Sequence, residues 1–272
     1  MAGFFMELLG YLGALLVGLS LGILGAGGSI IAIPVLIYLF KIEPLQATTY
    51  SFFIIGFTAL IGAVQHIRER TVQIWPALYF AISGVISIYV IRTYIIPLIP
   101  ENLFTIGDVL VTKNIFILIF FSIIMSLSGI SMILSGRTKQ PENENARMPS
   151  VFYLMLFGMG VGIIIAFAGV GGGFLITPAL ILFARVPIKK AIGTSLCIIS
   201  LNSFVGFVSS IKLHQVIHWN FLFFFILVTT AGILGGNYFA KRVNNGKLKI
   251  IFGWFVLVMA IFMLVNEFYI KN

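Results

Sequence analysis

Two glycine-rich runs hold the residues best suited to chemistry: Gly25-Ala26-Gly27-Gly28 followed by Ser29, and Gly169-Val170-Gly171-Gly172-Gly173. Each interrupts an apolar stretch and is followed by a short apolar segment. Glycine tolerates the backbone angles of a sharp break and lets another group approach the main chain closely. A helix that starts after such a break points unpaired N–H groups and its positive dipole end back at the break. That arrangement suits an anion and requires no buried cation. The other reading of these glycines is close helix packing through small residues. Pro34 and Pro178, at the same distance from the two runs, either shape the short helices or loosen them for gating.

A second constellation of hydroxyls follows in Ala47-Thr48-Thr49-Tyr50-Ser51 and Ala191-Ile192-Gly193-Thr194-Ser195. Hydroxyls at the start of a helix cap it or donate to a bound oxyanion. Capping is expected of Thr49 and Thr194, and ligand contact of Tyr50, Ser51 and Ser195. Further along, Asn202 sits in an apolar run where an amide needs a partner. It is either a link between helices or part of a cavity.

Other chemistry finds little support. His66, His214 and His218 fall at the ends of apolar runs, where an interfacial polar role outweighs proton coupling. No serine has a histidine at helical spacing, so an intramembrane hydrolase is not expected and no catalytic residue is assigned. The single cysteine, Cys197, allows neither an intrachain disulfide nor a zinc cluster; no metal or cofactor is expected. Phe223-Phe224-Phe225 reads as packing or lipid contact, and Trp75 and Trp219 as aromatic anchors at a membrane surface.

The elements that must position these residues follow from composition. Hydrophobic residues make up 60% of the 272 and charged residues 9%, against about a quarter charged in a soluble domain. A bilayer is the expected solvent. The formal net charge of +9 comes from basic residues scattered over short loops, which argues against a nucleic-acid partner and for orientation signals. Apolar stretches long enough to cross ~30 Å of hydrocarbon fall at 47–66, 74–91, 115–134, 191–211, 219–236 and 249–266. Two longer stretches, 4–40 and 151–184, carry the glycine breaks. The pieces after the breaks, 29–40 and 173–184, are too short to span alone, so they either re-enter or complete a broken crossing. The expectation is an all-α polytopic membrane protein with about 8–10 transmembrane segments, and the first stretch reads as retained and not as a cleaved signal.

The chain also repeats itself. A shift of 144 residues carries Gly25, Gly27 and Gly28 onto Gly169, Gly171 and Gly172, Pro34 onto Pro178, Ser51 onto Ser195, and Trp75 onto Trp219. About 17 of ~59 positions from Val17 to Trp75 are identical, and aligned Gly, Pro and Trp do not arise from apolar composition alone. This divides the chain into a first membrane repeat (1–134), a polar linker (135–150) and a second membrane repeat (151–272). If each broken stretch begins and ends on one side, the repeats are inverted. The loops on one side then hold about 12 of the 17 basic residues, among them Arg68, Arg70, Arg185, Lys189 and Lys190. The other side holds Lys41, Arg92, Lys113, Lys212 and Lys271. The positive-inside rule favours this arrangement and makes the linker cytoplasmic. Inverted repeats with broken helices are a transporter design.

The paired motifs, GxGGxxxxxP at 25–34 and GxGGGxxxxP at 169–178, with Ala-x-x-x-Ser after each and a polar linker between the halves, resemble the sulfite exporter TauE/SafE family over nearly the whole chain. The resemblance implies export of a small sulfur-containing anion (sulfite, thiosulfate or an organosulfonate) across the bacterial inner membrane. The expected site is Gly25, Gly27, Gly28, Ser29, Thr49, Tyr50 and Ser51 with Gly169, Gly171, Gly172, Gly173, Thr194, Ser195 and Asn202, used by alternating access. An anion channel, or export of another small anion such as a carboxylate, is the alternative. The expected partners are the anion and membrane lipid, and a second copy of the chain in a homodimer is allowed. Ser29 stands where the second copy has Gly173, so the two half-sites need not be equivalent.

Overall fold

Long apolar runs with few ionisable groups must satisfy every backbone N–H and C=O internally when they leave water, which makes them helices. The computed structural model describes residues 2–25, 28–106, 109–137, 150–169, 173–182, 184, 186–211, 217–240 and 245–265. The first repeat contains α1 (Ala2–Leu24), α2 (Gly28–Pro34) with a π turn (Val35–Leu39), and α3 (Pro44–Arg68). Next comes α4 (Ile74–Val90), which continues through a π turn (Ile91–Ile95) into α5 (Ile96–Leu98). A hairpin of β1 (Asn102–Ile106) and β2 (Val109–Thr112) precedes α6 (Lys113–Arg137). The second repeat contains α7 (Val151–Ala168), α8 (Gly173–Leu182), α9 (Ile188–Ser210), α10 (Trp219–Ala240) and α11 (Asn245–Val265).

Among the described residues, seven segments are long and apolar enough to cross a bilayer: Met6–Leu24, Pro44–Arg68, Ile74–Leu98, Lys113–Ser131, Val151–Ala168, Lys190–Ser210 and Trp219–Phe239. The protein is an all-α polytopic membrane protein apart from the small hairpin. Large apolar side chains such as Leu127, Phe152, Val208, Phe224 and Leu227 stand exposed on the outer helix faces, a surface fit for lipid and not for water.

Three expectations need correction. The helices carrying the hydroxyl constellations start earlier, at Pro44 and Ile188, so Thr49 and Thr194 lie inside them and cap neither. The stretch expected to end at 91 stays helical to Leu98 because the π turn carries it past Arg92. The β1–β2 hairpin was not expected. Its strands pair antiparallel, with Phe104 opposite Val111, Thr105 opposite Leu110 and Ile106 opposite Val109; the sequence between them, Gly107-Asp108, is a hairpin signal.

Helix contacts run mainly between the two halves of the sequence. The 144-residue shift maps α1 onto α7 and α4 onto α10. In the fold α1 lies along α10, and α7 lies along α4. Further contacts join helices of the same rank in the two halves, α3 with α9, α2 with α8, and α6 with α11, and α4 also meets α9 as α10 meets α3. Residue contacts follow the same exchange. A Cβ added at Gly62 would meet Leu196, and one at Gly206 would meet Phe52; Phe52 and Leu196 are equivalent positions, as are Gly62 and Gly206. Contacts in which i meets j and the equivalent of j meets the equivalent of i are isologous. The two halves of the sequence therefore interlock in space.

Two apolar cores result. The main core includes Val17, Leu21, Phe52, Ile54, Phe80, Ile176, Leu196, Phe225 and Ile233. The smaller one joins Leu118, Phe121 and Met125 of α6 and Val256, Ala260 and Met263 of α11 to Ile30 and Ile33 of α2 and Ala168 of α7. The smaller core thus leans on the residues beside both glycine breaks.

Candidate functional site

Both glycine breaks occur where the sequence puts them. Gly25 ends α1 and Gly169 ends α7, with φ of +64° and +67°. Each donates its N–H to the carbonyl four residues back, Leu21 and Ile165, at 2.8 Å. This is the left-handed helix ending that glycine makes without a steric penalty. The pieces that follow are short. α2 with its π turn, Gly28–Leu39, and the ten residues of α8 reach at most about 18 Å at ~1.5 Å per residue, well below the ~30 Å of the hydrocarbon layer.

Each break is seated against the long third helix of the opposite repeat. A Cβ on Gly25 would lie 2.8 Å from Ile192 Cγ2 on α9, and one on Gly169 would overlap Thr48 on α3. Ile192 and Thr48 are equivalent under the 144-residue shift. The chemistry at the two places differs.

At Gly169 the neighbour is a cation. Arg92 is 1% exposed, and its Nη2 would lie 2.7 Å from a Cβ on Gly169. Its Nη1 donates to Thr48 Oγ1 at 3.0 Å, and its Cζ lies 4.9 Å from the centre of the Phe52 ring, a cation–π contact. Thr48 Oγ1 in turn donates to the Leu45 carbonyl at 2.7 Å. Arg92 Nε and Nη2 are buried with no hydrogen-bond partner among the described residues. Ser51, one turn along α3 from Thr48, is fully buried, and its Oγ also lacks a partner. From sequence, Arg92 was expected in a loop and the anion site without a buried cation. The structure corrects this: the π turn keeps the chain helical and holds Arg92 in the interior. One extra residue in a helical turn redirects the side chains that follow, and such turns are frequent at functional sites.

At Gly25 the neighbours are hydroxyls. Ser195 Oγ shares its proton between the Ile192 carbonyl at 2.8 Å and the Gly25 carbonyl at 3.2 Å. Thr177 Oγ1, on α8, lies 2.9 Å from Ser195 Oγ and 3.3 Å from the same Gly25 carbonyl. Thr177 was not singled out in the sequence; its counterpart in the first repeat is Ile33, so the repeat comparison gives no signal for it. Gly28 seats the start of α2 on the Val17 carbonyl, and Ser29 is buried beside it.

Other expected residues lie elsewhere. Thr49 and Thr194 donate to the carbonyls of Leu45 and Lys190 within their own helices. Thr194 Oγ1 also accepts the Gln73 N–H at 2.9 Å, and Tyr50 Oη accepts the His218 N–H at 2.9 Å. Tyr50 and Thr194 are equivalent positions, and both fasten the loop before the opposite repeat's fourth helix. Tyr50 also borders an open groove of ≈ 660 Å³ lined by Lys41, Glu43, Gln46 and His218. Asn202 is fully buried with neither amide atom hydrogen-bonded, and its Nδ2 would lie 2.9 Å from a Cβ on Gly84. It makes no interhelical hydrogen bond. His66 Nδ1 pairs with Thr71 Oγ1 at 2.8 Å. Gly173 opens α8. Gly27, Gly171, Gly172, His214 and most of the polar linker (138–149) lie outside the described residues.

The sequence is similar to known membrane transporters. The sequence model of the sulfite exporter TauE/SafE family matches residues 10–263. A probable membrane transporter protein of Xylella fastidiosa (strain Temecula1 / ATCC 700964) is 30% identical over 262 residues, covering 92% of this chain and 91% of the relative. The probable membrane transporter protein YunE of Bacillus subtilis (strain 168) is 30% identical over 241 residues, covering 80% and 81%. No solved structure matches the chain. With two glycine-broken helices seated on each other's repeats, and with a match across nearly its whole length, the chain belongs to the sulfite exporter TauE/SafE family of membrane transporters.

Proposed function

We propose that the protein exports a small sulfur-containing anion, of the sulfite, thiosulfate or organosulfonate type, across the bacterial inner membrane by alternating access. The site is the interior region where the two glycine breaks meet the opposite repeat. One observation carries this reading: Gly25 and Gly169 end their helices in the same left-handed conformation and sit on equivalent residues of α9 and α3. Broken helices at the meeting point of two repeats form the substrate site in several transporter folds.

The inverted arrangement of the repeats, with the 135–150 linker cytoplasmic, draws support from the distribution of basic residues. The family's name supports sulfite as a substrate, and the relatives' names support transport without naming a cargo. Rocking whole repeats against each other would separate α1 from α10 and α4 from α7. The boundary between the main core and the smaller α6–α11 core is the lighter parting surface.

With the cell interior negative, each negative charge moved outward gains ~2.3 kcal/mol per 100 mV. Reconstituted protein should therefore move labelled sulfite or thiosulfate faster when a potassium gradient with valinomycin makes the starting compartment negative. The flux should saturate with substrate. Flux that ignored the potential would remove the electrogenic mechanism. Unsaturable current in single-channel recordings would replace the transporter with an anion channel.

A further inference from the structure

A guanidinium buried inside a membrane protein demands an explanation. Desolvating an ion costs several kcal/mol even after the protein relaxes, and intramembrane cations normally pair with another charge or with backbone carbonyls. Among the described residues, Arg92 has only the Thr48 hydroxyl as a hydrogen-bond partner, and its guanidinium lies over the face of Phe52. No carboxylate among the described residues is bonded to it.

The groups left over are informative. Nη1 is committed to Thr48, while Nε and Nη2 are unpartnered. Those two nitrogens form the side edge of the guanidinium, where one N–H from each points the same way. This is the fork that receives two oxygens of an oxyanion at once. It lies at Gly169, the residue on which α7 breaks before α8. The Ser51 hydroxyl is buried and unpartnered, and helical spacing puts it on the same stripe of α3 as Thr48 and Phe52. Its equivalent, Ser195, touches the other break at the Gly25 carbonyl.

The second repeat has no counterpart. Position 236, equivalent to 92, is glycine, and Ile192 stands where the first repeat has Thr48. At the Gly25 break the hydroxyls of Thr177 and Ser195 are turned to a backbone carbonyl, an acceptor that repels an anion.

We infer that Arg92 is the anion-binding residue of the protein, receiving two oxygens of a sulfite-, thiosulfate- or sulfonate-type substrate on its Nε–Nη2 edge at the Gly169 break, with Ser51 as an additional donor. The substrate is then the missing counter-ion, and the site is one-sided in spite of the repeat. A single oxyanion binds per protein, and a planar fork selects for ligands with at least two oxygens on one centre.

The inference rests on the transport reading, and the test separates the two. Full-length wild type, R92Q and R92K are purified in detergent and reconstituted into proteoliposomes. Binding is read as thermal stabilisation by sodium sulfite, thiosulfate or methanesulfonate, with chloride as the spherical control. Transport is read as labelled anion flux. Wild type should be stabilised by the oxyanions more than by chloride. R92Q should lose that stabilisation and need about ten- to hundredfold more substrate, the usual loss for a hydrogen bond to a charged group. R92K, which keeps the charge and loses the fork, should fall between them. Without anion, R92Q should melt no lower than wild type, because it lacks the unpaired buried charge.

Flux by R92Q with an unchanged KM would overturn the role of Arg92 and leave the transport reading standing. Oxyanion stabilisation in wild type that is lost in R92Q, without flux in either, would uphold the binding site and remove the transport reading. Equal stabilisation of wild type and R92Q would overturn the site, whatever the flux. If R92Q does not fold, the same outcomes are read from R92K against wild type.

Discussion

A methyl group has no room at Gly169. Its φ of +67° is strained for any residue with a Cβ, and the added carbon would overlap Thr48 and press on Arg92. Gly169→Ala should lower stability by at least about 1–3 kcal/mol from the backbone alone, more with the overlap, and should abolish flux. Gly160 is the internal control. It lies in the same helix with nothing near the added carbon, and alanine there should be neutral or stabilising by up to about 1 kcal/mol. Thermal melts of the two variants in one detergent decide the matter; equal melting temperatures would mean that the break is not rigidly seated. At this scale the sequence is a partial guide. Glycine spacing reveals the break because only backbone geometry is at stake. It does not reveal Thr48 and Arg92 as its neighbours, because they come from another repeat.

At the scale of elements, Tyr50 and Thr194 show how a duplicated position can mislead. Hydroxyls at equivalent places near a glycine motif suggest a ligand, yet each accepts a loop N–H from the opposite repeat. Tyr50→Phe and Thr194→Val should each leave a backbone donor without its partner and cost about 1–3 kcal/mol of stability, read from thermal melts. The KM for transport should stay the same; a raised KM for Tyr50→Phe would return that residue to the substrate site. The helices themselves were legible, since long apolar runs permit little else in a bilayer. Helix ends were not. Pro44 opens α3 well before its first hydroxyls, in the position where proline is tolerated. The π turn at Ile91–Ile95 hid Arg92, because a charge at the edge of an apolar run normally marks the end of a span. Apolar sequence flanking Arg92-Thr93 on both sides, Tyr89-Val90-Ile91 and Tyr94-Ile95-Ile96, was the available signal.

For the whole molecule, the duplicated pattern predicts more than either half could. Single cysteines can be placed in a Cys197→Ala background and probed with a membrane-impermeant thiol reagent on intact cells. Lys41→Cys and Asn220→Cys should react from outside, and Ser150→Cys and Lys190→Cys only after the membrane is opened. Reaction of Ser150→Cys and Lys190→Cys from opposite sides would remove the inverted arrangement. The 144-residue offset announced duplication but not interlocking, because a shift along the sequence carries no information about which helices touch. That each repeat's first long helix lies on the other repeat's fourth emerges only in three dimensions.

This crossing-over has a consequence for biosynthesis. The ribosome delivers α4, with Arg92 in its extension, before any residue of α7 exists, and α1 waits still longer for α10. The nascent first repeat therefore enters the bilayer with its best contact faces uncovered, and the translocon or an insertase must shelter them until the second repeat arrives. Residues 1–143 expressed alone should be degraded, as should residues 144–272. The two fragments produced together in one cell should rescue each other and restore flux, as measured by membrane abundance and labelled-anion export. Accumulation of either fragment alone as a stable species would show that a repeat can mature without its mate.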